Sequence, residues 1–190
     1  MERDKALELL KRHNAEEGHI RHAVAVEATM RHFARKLGED EKLWGITGLL
    51  HDIDWEKTQE TPERHTHVGA QILEEEGYPP QVVRAVLSHG WGICSDVKPE
   101  SDMEKYLFAV DELTGFVTAV ALVRPGKSLQ DLKVKSVRKK WKDKAFARGV
   151  DRDVIQRGAE LLGQPLEDLI EEVIEALKPV EKEIGLGEDD

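Results

Sequence analysis

The chain has 190 residues, 39% of them hydrophobic and 35% charged, and a net charge of −10. That length suits a single domain spanning residues 1–190, and the acidic balance argues against a general nucleic-acid binder. The lone cysteine, Cys94, excludes an intrachain disulfide. The start, MERDKALELLKRH, has no apolar core of signal-peptide type, and no apolar run approaches the ~18 residues of a membrane span. No membrane partner and a cytoplasmic location are expected.

Taken in order, nearly every segment reads as helix. Residues 3–12 put Ala6, Leu7, Leu9 and Leu10 on one side. Asn14, with Glu17 three residues on, suggests a capping box for a helix that carries Ala23, Val26, Met30, Phe33 and Leu37 and stops at Gly38. Asp40 is the expected cap of a third helix, which runs through Leu43, Trp44, Ile46, Leu49 and Leu50 to His51. Residues 53–60 read as a loop. Thr61-Pro62 then opens a helix that carries His65 and His67 in its first turns and ends near Gly77. Pro79-Pro80 begins the next, through His89. Ser101 and Glu104 form a capping box for the most apolar helix, which ends at Arg124-Pro125-Gly126. The segment 133–150 reads as a basic helix. Asp151 caps a helix through Leu162, Pro165 begins a last one to about Leu177, and the tail EIGLGEDD is expected to fray. No strand and no repeat is recognisable. The fold class is all-α, a helical bundle with short connections.

The chemistry centres on LLHDIDW, residues 49–55. Adjacent residues diverge by about 100° on a helix, but at a helix end His51 and Asp52 can reach one point. A divalent cation is such a point, since it accepts imidazole nitrogen and carboxylate oxygen together. Asp111 lies in the apolar stretch AVDELTGFV, and His22 beside AVAVE. A buried carboxylate costs several kcal/mol unless it is paired or metal-bound. His22, His51, Asp52 and Asp111 make a sensible donor set for one divalent ion. His19, three before His22, shares its face. His32 lies almost three turns away, too far for the same ion. Cys94, alone in a loop, reads as incidental, and Glu112, turned from Asp111, as structural.

A histidine, then His-Asp, then a distant aspartate in an all-helical chain resembles the HD-domain metal-dependent phosphohydrolase superfamily, over roughly residues 20–125. HDID resembles the family's His-Asp-Ile-Gly, with Asp54 in the glycine position. HTHVGAQIL resembles a family stretch with histidine four before glycine, which selects His65 over His67. VLSHG places His89, and AVDELTG places Asp111. The expected motif core is about 16–125, with a helical annex at about 127–184.

The resemblance implies one metal on His22, His51, Asp52 and Asp111. It allows a second on His65 and His89, with Asp52 bridging. In one-metal members such histidines instead contact substrate or move protons, so Asp52, His65 and His89 are the candidate catalytic residues. The ion would be Mn, Fe, Co, Ni, Zn or Mg. The activity implied is hydrolysis of a phosphate ester of a small molecule, plausibly a nucleotide, by a metal-held hydroxide available near pH ~7. Two alternatives remain open: a di-iron oxygenase of the same fold, and a non-catalytic metal-containing binding module. A homodimer is possible.

Residues 133–148 carry a net charge of +7 and residues 160–190 a net charge of −9. The plain expectation is that these faces pair or solvate. The functional one is that Lys135 or Arg138 reaches the metal cleft to hold a phosphate. A nucleic-acid patch is the weaker version, with only Trp141 and Phe146 to stack on bases.

Overall fold

The computed structural model describes residues 2–187, and helix dominates it. The helices are Arg3–His13 (α1), Glu17–Leu37 (α2), Glu41–Leu50 (α3), Trp55–Thr58 (α4), His67–Glu75 (α5), Pro80–His89 (α6), Asp102–Leu122 (α7), Val134–Trp141 (α8), Arg152–Leu162 (α9) and Leu166–Leu177 (α10). There is no strand among the described residues, only an isolated bridge between Trp91 and Ser95. The all-α expectation holds.

α7 is the centre. Its start is fixed by the expected capping box: Ser101 Oγ accepts from the Glu104 N–H at 3.3 Å, while the Glu104 carboxylate accepts from the Ser101 N–H at 3.3 Å. It packs against α2, α6, α9 and α10, and Leu107, Val110, Leu113, Phe116 and Val117 are fully buried. Each such side chain contributes about 1.5–3 kcal/mol by leaving water. α2 and α3 run close together because Gly48 carries no side chain: a Cβ there would lie 2.9 Å from the Val26 carbonyl oxygen. That approach brings His51, the residue after α3, near His22 on α2. Gly158 does the same between α9 and α7, where a Cβ would meet Ala109 Cα at 2.5 Å. Glu27, buried on α2, accepts from Arg3 Nε at 2.8 Å and Arg31 Nε at 2.9 Å. That pairing is what makes a buried carboxylate tolerable.

Several local expectations are corrected. Asn14 does not cap α2. Its amide donates to the carbonyls of Leu10 and Ile53, and the N–H groups of Ala15 and Glu16 go to the Glu56 carboxylate at 2.9 and 2.8 Å. The loop 53–60 contains α4, whose single turn carries that carboxylate. Pro62 opens only one 3₁₀ turn, Pro62–Arg64, and Thr66 then takes φ 68° before α5 begins at His67.

The basic helix stops at Trp141. The Arg152 guanidinium donates to the carbonyls of Trp141, Asp143 and Phe146, and stacks on the Phe116 ring at 4.9 Å. Those carbonyls are thereby satisfied without a continuing helix. The tail is packed rather than frayed: Ile184 is 3% and Leu186 0% exposed. Glu188, Asp189 and Asp190, also expected to fray, lie outside the described residues. Among the described residues no helix is long and apolar enough to cross a membrane.

Candidate metal centre

His51 follows the last turn of α3 and is completely buried. Its Nδ1–H donates to the Gly48 carbonyl at 2.7 Å. Nε2 therefore faces inward, 3.3 Å from Asp52 Oδ2 and 3.2 Å from Asp111 Oδ1. Neither contact has hydrogen-bond alignment, and among the described residues this buried nitrogen has no hydrogen-bond partner. From α2, His22 Nε2 reaches the same Asp111 oxygen at 3.0 Å. Asp111 is not sealed in the core as its apolar neighbours suggest; it is 18% exposed and opens onto a cleft.

A second group lies alongside. His89, the last residue of α6, donates Nδ1–H to the Val86 carbonyl at 2.6 Å and points Nε2 at Asp52 Oδ1, 3.3 Å away. His65 gives Nδ1–H to Asp54 Oδ1 at 2.9 Å and also points Nε2 at Asp52 Oδ1, at 3.3 Å. Asp54 is fully buried, and its other oxygen accepts the Gly69 N–H at 2.7 Å. The two groups are His22, His51, Asp52 and Asp111, and Asp52, His65 and His89. Within each, the ligand-type atoms lie within 4.8 Å of one another. Asp52 belongs to both. All six residues singled out from the sequence thus converge. His67, passed over in favour of His65, is exposed and faces the Cys94 carbonyl at 3.0 Å.

The electrostatics follow from this crowding. Burial opposes charge on His51, but Asp52 and Asp111 outweigh it and hold its pKa well above the usual imidazole value. Burial likewise opposes charge on His65, yet Asp52 and Asp54 raise its pKa to about 10. Asp52 and Asp111 are in turn held well below the ordinary carboxylate range, against burial, chiefly by the His51 charge. The carboxylates require positive charge at their centre, and protons on the imidazoles are one source. A divalent cation would be the other, and on binding it would take the place of those protons. Three tethered Nδ1 atoms, three convergent Nε2 atoms and an orphaned buried Nε2 on His51 fit a cation. Ligating histidines are oriented in this way by their other nitrogen.

The cleft above these residues, about 390 Å³, is also lined by His19, Trp55, Cys94, Phe108, Glu112, Val150 and Val154. His19 bonds to Glu56 at 3.1 Å, and burial pushes the Cys94 thiol up, away from a reactive thiolate. Glu112 is the residue that sequence reasoning set aside. Phe108, Asp111, Glu112 and Gly115 follow the i, i+3, i+4, i+7 stripe of one helix face, a signal that would have found it. Burial first, then the Asp111 charge, raises the Glu112 pKa to about 8. Lys135 and Arg138 do not line the cleft; Arg138 pairs with Glu167 at 3.1 Å. His32 bonds instead to Glu172 at 2.6 Å. A larger open depression, about 880 Å³ between α1 and Tyr78, is lined by surface charges of both signs and holds no such cluster.

Frame and cluster together define an all-helical protein with a histidine–aspartate centre of metal-binding type. The HD domain family model matches residues 20–114, half of the chain, and the chain belongs to the HD-domain family. That superfamily is generally one of metal-dependent hydrolases that bind divalent ions. Among curated proteins the chain is similar to Ribonuclease Y. It is 28% identical to that of Bacillus thuringiensis (strain Al Hakam) over 145 residues, 75% of this chain and 26% of that protein. It is 27% identical to that of Geobacillus kaustophilus (strain HTA426) over 157 residues, 81% and 28% of the two chains. The chain spans about a quarter of the length of these relatives. No solved structure matches at a significant level.

Proposed function

We propose that this chain is a metal-dependent phosphohydrolase acting on a phosphate ester of a small molecule, with a nucleotide as the leading candidate. The observation that carries the reading is the position of Asp52, shared by a four-residue and a three-residue donor group. One carboxylate common to two such groups would let Asp52 serve both if each held an ion. When bound, such ions acidify water and offset charge on phosphoryl oxygens.

The chain's own residues do the rest. The Gly48 and Val86 carbonyls fix the rings of His51 and His89, and Asp54 fixes that of His65. Each Nε2 is thereby aimed inward without further reorganisation. Trp55 packs edge-on against His65 at 5.2 Å and helps keep bulk water from that side of the site. No serine or cysteine nucleophile is needed. The nucleotide part is supported by the relatives' name, Ribonuclease Y, since RNA is built of ribonucleotides joined through phosphate esters.

The test is metal content by mass spectrometry on wild type and Asp52→Ala, followed by p-nitrophenyl phosphate and bis(p-nitrophenyl) phosphate assays with Mn, Co and Ni. Two ions per chain in wild type, lost in the variant, together with ester hydrolysis, are expected. One ion per chain moves His65 and His89 to substrate or proton roles. No metal after reconstitution rejects the reading.

A further inference from the structure

The cleft has a wall that the matched segment 20–114 does not supply. Gly149, Val150 and Val154 line it from the start of the α9 region. This wall is held in place. The Asp151 N–H donates to Glu112 Oε2 at 3.2 Å, and Gly158 lets α9 lie against Ala109. The Arg157 guanidinium stacks on Trp91 at 4.7 Å and Phe108 at 5.4 Å.

The chemistry of the cleft away from the histidines is narrow. Among the described residues lining it there is no lysine or arginine. A chain of further phosphates would find no cationic support there. The surfaces of Trp55, Ile93, Phe108, Val150 and Val154 are apolar, and the acceptor among them is Glu112. The charged groups that act on Glu112 are Asp111, Asp151 and Asp52, all acidic. Among the described residues its hydrogen-bond donor is the Asp151 backbone N–H. Such a carboxyl group is matched by ligand hydroxyls, which accept from it when it is protonated and donate to it when it is not. The volume, about 390 Å³, is at the small end of ligand pockets. That volume suits one nucleoside-sized group.

We propose that Glu112, Phe108 and the Gly149–Val154 wall form a subsite for the substrate's leaving group, an alcohol of about nucleoside size that presents sugar-type hydroxyls to Glu112. This rests on the phosphohydrolase reading above. The wall lies outside the segment 20–114 that the HD domain model matches, and it adds residues 149–154 to the selectivity that Phe108 and Glu112 set from within that segment.

Gly149 offers a clean probe. Its backbone is of ordinary hand, and an added Cβ meets no heavy atom within 4 Å. Gly149→Phe therefore adds bulk at the cleft wall with no clash at its Cβ, and Glu112→Gln alters the hydroxyl partner at constant shape. The Mn(II)-loaded protein and both variants are assayed on adenosine 5′-monophosphate and on p-nitrophenyl phosphate, which has no sugar hydroxyls. The ratio of the two kcat/KM values should fall at least tenfold in each variant. A variant that is merely misfolded loses both esters together, and a ratio within twofold of wild type overturns the subsite.

If no ester is turned over, the phosphohydrolase reading has failed and adenosine binding decides the subsite. Calorimetry with adenosine, which carries the leaving group and no phosphate, is run on the same proteins. Binding to wild type that weakens at least fivefold in both variants supports the subsite. Absent or unchanged binding overturns it.

Discussion

Asp54 grips His65: its Oδ1 takes the Nδ1–H at 2.9 Å while its Oδ2 takes the Gly69 N–H at 2.7 Å. Both oxygens of a fully buried carboxylate are thus committed, and Nε2 of His65 is left facing Asp52. In Asp54→Asn only one of the two donors keeps an acceptor, and an NH₂ facing Nδ1 would put the ring proton on Nε2, the nitrogen needed for an ion. Affinity for an ion at Asp52, His65 and His89 should fall about 10–100-fold. Binding at His22, His51, Asp52 and Asp111 should fall much less. A two-site metal titration separates them. Equal weakening at both sites, or none at either, contradicts the anchoring role.

Glu56 caps α2 from a distance, taking the N–H groups of Ala15 and Glu16. Those bonds, first the one from Ala15, lower its pKa from the ordinary value of 4.5. The unfolded value is the higher one. The stabilisation is therefore fully present above pH 4.5 and is lost as pH falls through the folded value. Glu56→Gln should cost about 1 kcal/mol at neutral pH, the usual cost of a weakened cap. The gap in Tm between wild type and variant should close as the pH drops below 4.5. Thermal melts of the metal-free proteins across the acid range measure it. A gap that stays constant with pH would show that the carboxylate charge plays no part.

The same two residues show what the sequence reveals and what it hides. His22, His51, Asp52 and Asp111 were legible because each sits at a helix end or in an apolar stretch where a polar side chain needs a reason, whereas His65 and His89 were placed by the resemblance to the HD family. Asp54 was visible as a departure from the family's glycine, but its bond to Gly69 depends on how α5 packs and has no local signature. The cap of α2 went to Asn14 on local pattern, and Glu56 took it through a contact 40 residues away. The wall at 149–154 was hidden for a similar reason. A basic helix over 133–150 fits the local periodicity, and only Arg152, arriving from α9, ends it at Trp141.

The carboxy-terminal tail is the plainest case of long-range packing overruling local composition, and it makes a sharp prediction. Gly185 takes φ 75°, a backbone that favours glycine, and turns Leu186 back into the core, where it is fully buried. The Leu186 N–H donates to the Glu181 carbonyl at 2.7 Å, and the Gly187 N–H to that of Lys127 at 2.9 Å. The Glu181 carboxylate takes the Leu129 N–H at 2.9 Å, so the tail pins the connection that leads to α8. Leu186→Ala should cost about 2–5 kcal/mol, the range for a buried leucine left as a cavity. In a chain of this length that is a fall in Tm of roughly 4–20 °C. Ile184→Ala should behave alike, and substituting exposed Glu183 should cost far less. A shift below about 1 °C for Leu186→Ala would mean that the tail is not bound to the core in solution.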